Sequence, residues 1–152
     1  MTQTVVSKTS LYERDLSLWL ETAIAQLKTG DFHSLDVENL VEELEGLAGR
    51  DRRELSNRLK TLIEHILKRC YVGRQDCYRG WEITIINQRD ELSEILTQSP
   101  SLKRTFLQSF DSAFIKALRL VKTEYVETTF PNTWQFNRDI DAMLSVDFWV
   151  DF

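Results

Sequence analysis

Glu38, Glu42 and Glu45 recur at steps of four and three residues. At a helical advance of 100° per residue they fall within about 60° of one another. They lie at the border of the apolar face made by Val37, Leu40, Val41 and Leu44. Carboxylates in such a row suit a hard cation such as Mg²⁺ or Mn²⁺, with a second helix supplying further oxygens or a His. The plainer reading is a solvated face whose glutamates favour the positive end of the helix dipole. His65 shares a column with Arg58, Thr61 and Lys68, off the centre of its own apolar stripe, and is open to use as acid, base or ligand. Arg89 borders the stripe of Trp81, Ile85 and Leu92, and a bidentate pairing with one of the row glutamates is expected of it. The chain has no Glu-x-x-His pair, GxGxxG, P-loop or HExxH, and no defensible Ser-His-Asp or Cys-His order. No catalytic residue, metal ligand set or cofactor is therefore assigned, and whether the chain is an enzyme stays open.

These side chains sit in two opposed charge blocks. From Asp31 to Gly49 there are six carboxylates and no Lys or Arg, whereas Arg50 to Arg79 carries nine Lys or Arg against four carboxylates. Blocks of this kind attract each other, orient a partner or converge on an ion. The whole chain has net charge −5 and a pI near 5.1, which argues against a broadly basic nucleic-acid binder. Arg50, Arg52, Arg53, Arg58 and Lys60 keep a local nucleic-acid contact as a weaker alternative.

The elements that must position these residues are helical. Five Gly and two Pro in 152 residues leave few turn signals for an all-β fold. Ser10 with Glu13 fits a capping box, and Tyr12, Leu16, Trp19, Ala23 and Leu27 predict a helix from Leu11 to Thr29, ended by Gly30. Asp36 caps a second, running to Ala48. Gly46, Gly49 and a fresh cap at Asp51 predict a break near Gly49, with the Val37 and Leu55 faces packing on one core. Were Val37 to Tyr71 instead one straight helix, the glutamate row and the His65/Lys68 row would point about 160° apart and could not share a site. With the break, Glu42 or Glu45, unlike Glu43, is expected to be buried against Arg89, His65 or Lys68.

Leu55 to Cys70 define a wide apolar stripe ending before Gly73, and Trp81 to Leu96 give the next helix, stopping by Ser99. Ser99 and Pro100 open a long helix to about Val126, followed by a loop at 128–133 and a short helix from Asp139 to Leu144. The final Phe148-Trp149-Val150-Asp151-Phe152 is expected to pack back on the bundle or into another chain. The expectation is an all-α, single-domain bundle of four to five main helices with a short C-terminal helix, covering residues 11–152 after a flexible tail at 1–10. Met1 to Ser10 lacks the apolar core of a signal peptide, no run approaches the ~20 apolar residues of a membrane span, and Cys70 and Cys77 read as free thiols. A cytoplasmic, membrane-free protein is expected.

Several segments occur together in a known order: Tyr12-Glu13-Arg14-Asp15 with Trp19-Leu20, Leu35 to Glu45, Leu62 to Lys68, Trp81 with Ile85 and Arg89, Ser99 to Leu102, and Phe130-Pro131. In this the chain resembles a bacterial family known as domain of unknown function twenty-nine, over about Leu11 to Leu144. The resemblance implies an all-helical cytoplasmic bundle without an established activity. Its recurrent polar positions are carried onto Asp15, Glu38, Asn39, Glu42, Glu45, His65, Lys68 and Arg89. Gly46 departs from it, standing where a bulkier residue is usual, and the second proline commonly found after Pro131 is missing. The function expected is an interaction module that binds a protein partner or a second copy through its charge-segregated surface, with Glu38, Asn39, Glu42, Glu45, His65, Lys68 and Arg89 as the binding positions. The alternatives are a metal-dependent hydrolase or nuclease using Glu38, Glu42, Glu45 and His65, and a nucleic-acid-associated regulator.

Overall fold

The computed structural model describes residues 10–152. The predicted tail at 1–10 lies outside them except for Ser10. Among the described residues there are six α-helices, four of them long, and no strand, so the fold is all-α as expected. It divides into two compact units, the first ending at Ala48 and the second spanning Gly49–Phe152.

The first unit opens with α1 (Leu11–Arg14) and α2 (Leu16–Thr29). Ser10 caps α1 through the Glu13 N–H, and Gly30 closes α2 in the left-handed conformation at φ 74°. The predicted single helix from Leu11 is interrupted at Asp15. That residue leaves the helical region (φ −150°, ψ 87°), and its carboxylate accepts from the Leu18 N–H at 3.0 Å. An aspartate that can satisfy a free N–H in this way competes with the helix it interrupts. The unit ends with the first turns of α3.

α3 runs without interruption from Val37 to Tyr71, so the break predicted at Gly49 is absent. Two glycines cost about 2 kcal/mol relative to alanine, which helix propagation from strong formers on either side outweighs. At Gly49 the Arg53 guanidinium lies 3.1 Å from where a Cβ would stand, while a Cβ at Gly46 would meet nothing within 4 Å. Gly46→Ala should accordingly stabilise the chain by up to about 1 kcal/mol. A higher chemical-denaturation midpoint checks this, and an unchanged or lower one would show that the glycine has a use that helix propensity does not capture.

The second unit contains the rest of α3, α4 (Gln75–Gln98), a 3₁₀ turn at Pro100–Leu102, α5 (Lys103–Glu124) and α6 (Ile140–Ser145). Its core is the expected stripe: Leu55, Leu59, Leu62, Ile63 and Ile66 of α3, Ile85 and Leu92 of α4, and Phe106, Phe110 and Val121 of α5 are all buried. Pro100 starts the 3₁₀ turn rather than the α-helix, and α5 follows directly. The aromatic C-terminus packs back on this unit: Trp149 is buried and Phe148 stacks on Phe136 with centroids 4.8 Å apart. No helix of the described residues is long and apolar enough to cross a membrane.

Candidate interaction site

Asp36 organises the first unit. Its carboxylate accepts from the Asn39 backbone N–H at 3.3 Å, capping α3, and also from the Asn39 amide at 2.7 Å and the Trp19 indole at 3.2 Å. The Asn39 side-chain bond, followed by the Asn39 backbone and Trp19, holds Asp36 below the usual carboxylate range against the opposing effect of burial. The Tyr12 hydroxyl donates to Glu43 at 2.5 Å, tying α1 to α3. That bond first, then burial and the charges of Glu43, Glu42 and Asp36, pushes the Tyr12 phenol up to about 12.

These ties bury little apolar surface. Trp19 and Ala23 are the only buried hydrophobics of the unit among the described residues. On α2, Leu16, Leu20, Ile24 and Leu27 fall within about 80° of one another, and all are exposed. On α3, Val37, Val41 and Leu44 form a second exposed stripe, which corrects the expectation that this face packs on the core. Glu38, Glu42 and Glu45 run beside that stripe, exposed, and have no hydrogen-bond or ion-pair partner among the described residues. The expected burial is thus reversed: Glu43 is the half-buried glutamate, and Glu42 and Glu45 are exposed.

The remaining candidate residues have partners within the second unit. Lys68 is buried between Glu64 at 3.2 Å and Glu124 at 3.0 Å, with its ammonium 5.9 Å from the Tyr125 ring centroid. Burial is the largest single influence and lowers its pKa, but Glu124 and Glu64 together outweigh it and the net shift is upward. His65 places Nδ1 2.8 Å from the Thr61 carbonyl, an i−4 contact within its own helix. Arg89 is buried and donates to the Met143 and Val146 carbonyls and to Asp147, so its expected pairing with a row glutamate is replaced by a grip on the segment around α6. Burial lowers its pKa and Asp147 partly restores it. Lys68 and Arg89 thus sit in structural ion pairs, whereas His65 contacts only the backbone of its own helix.

Two other charged features belong to the second unit. A cleft of about 750 Å³ is lined by Asp51, Glu54, Asp90, Glu91 and Glu94 without a single cation. Beside it Arg50, Arg53 and Arg58 line a shallow groove, but Arg58 is held by Glu54 at 3.0 Å and Gln88 at 3.2 Å. Among the described residues no group of three or more His, Cys, Asp or Glu is arranged to hold a metal ion. Burial pushes the Cys70 thiol up to about 12, the opposite of what a nucleophile needs.

Sequence reasoning placed the α2 helix from its periodicity but missed that Leu16, Leu20, Ile24 and Leu27 form an exposed stripe. The available signal was the size of the unit, since segments below about 40 residues rarely bury their own apolar surface. The chain matches the family described as domain of unknown function DUF29 over residues 11–149. It belongs to that family. No curated protein and no solved structure matches it. The matched stretch of this DUF29 chain includes both exposed stripes and the glutamate row that alternates in sequence with the second of them.

Proposed function

We propose that this DUF29 chain is an interaction module that presents the first unit to a protein partner. The observation that carries the reading is the exposure of the α2 and α3 stripes, seven large apolar side chains on a unit whose described residues bury only Trp19 and Ala23 among their hydrophobics. Apolar side chains that no core covers generally mark a contact surface. The two free thiols suit a reducing compartment and support the cytoplasmic setting we assign to it.

A photo-crosslinking amino acid at Val41, expressed in the native host, should give a discrete adduct that the same group at exposed Asn87 does not. Leu20→Lys with Leu44→Lys should abolish the adduct while far-UV circular dichroism stays unchanged. Indistinguishable adduct patterns from positions 41 and 87 would sink the reading.

A further inference from the structure

We infer that the occupant of this face is a cationic amphipathic helix of another protein. The inference rests on the reading above and adds the partner's chemistry. Described residues 10–48 carry nine carboxylates against Arg14 and Lys28 alone. The α3 stripe advances by four and then three residues, the spacing at which a helix receives a second helix along an apolar seam. Glu38, Glu42 and Glu45 run along one side of it, where a docked helix would place its flanking charges, and they have no cation of their own among the described residues. An apolar seam rimmed by unpaired carboxylates favours Leu or Ile on the facing helix and Lys or Arg beside them. A second copy of the same face would bring carboxylates against carboxylates, a juxtaposition that opposes pairing.

The test uses the full chain and two synthetic three-heptad helices, both with Leu at the seam, one with Lys and the other with Glu at the flanking positions. Fluorescence anisotropy should show the Lys helix binding at least about tenfold more tightly, with the preference vanishing near 1 M salt, where the screening length falls to about 3 Å. Glu38→Gln with Glu42→Gln and Glu45→Gln should weaken it about tenfold, as three partly exposed charge pairs would. Asp51→Asn with Asp90→Asn and Glu94→Gln removes as many charges from the acidic cleft of the second unit and should leave affinity nearly unchanged. Val41→Ser with Leu44→Ser should abolish binding with circular dichroism unaltered.

Equal affinity for the two helices, or equal loss from the two triple variants, overturns the inference and leaves the interaction module standing. Self-association in light scattering that Val41→Ser with Leu44→Ser removes does the same, making the occupant a second copy. Failure of both helices to bind, together with indistinguishable crosslinking from positions 41 and 87, removes the module as well.

Discussion

Phe106→Ala should destabilise the second unit by about 4 kcal/mol, whereas Val41→Ala in the first should change stability by no more than about 0.5 kcal/mol. Phe106 has no exposed surface and sits among Leu, Ile and Phe side chains, so truncation forfeits its transfer free energy and leaves a cavity that close-packed neighbours fill only in part. Val41 is 45% exposed and removes little apolar surface from water. Urea denaturation followed by circular dichroism separates the two cases. A Val41→Ala loss comparable with that of Phe106→Ala would mean that the α3 stripe is a core face, and the docking reading would fall with it.

Arg89→Ala should cost about 3 kcal/mol. The guanidinium is 7% exposed and donates to the Met143 carbonyl at 2.9 Å, to Asp147 at 3.0 Å and to the Val146 carbonyl. Hydrogen bonds from charged donors contribute about 1.5–3 kcal/mol each in favourable cases, and a carbonyl left buried without a donor adds its own desolvation penalty. The cost of burying the guanidinium offsets part of this gain, so the sum of the bonds overstates the net loss. Arg89→Lys should recover less than half of it, because one ammonium cannot reproduce a planar fork that serves three acceptors. The direct readout is limited proteolysis: cleavage after residue 138 should accelerate in both variants. Unchanged cleavage alongside an unchanged midpoint would show that α6 is held by packing alone.

The helices of the second unit were legible because their signals are local. An apolar stripe from Leu55 to Leu67, a proline at 100 and a glycine at 73 each act within a turn or two of where they stand. The caps at Ser10, Gly30 and Asp36 were legible for the same reason. Periodicity says that a face is apolar without saying what covers it, and the Val37 face, expected on the core, stays exposed. Gly49 misled in another way. A single-residue propensity of about 1 kcal/mol is a weak prior beside the cooperativity of a 35-residue helix. The charged residues were paired wrongly, since Lys68 finds Glu124, far away in sequence, and the glutamate row finds no cation among the described residues.

The Arg89 grip has a consequence for how relatives of this chain will look when aligned. Two of its three acceptors are main-chain oxygens, which every amino acid supplies, so Met143 and Val146 can drift freely provided that α6 keeps its course. Pairwise covariation will be silent at those two columns, and Asp147 alone can register as a side-chain partner of the arginine. In such an alignment an unvarying cation invites assignment to catalysis, when what it holds in place is the path of the backbone.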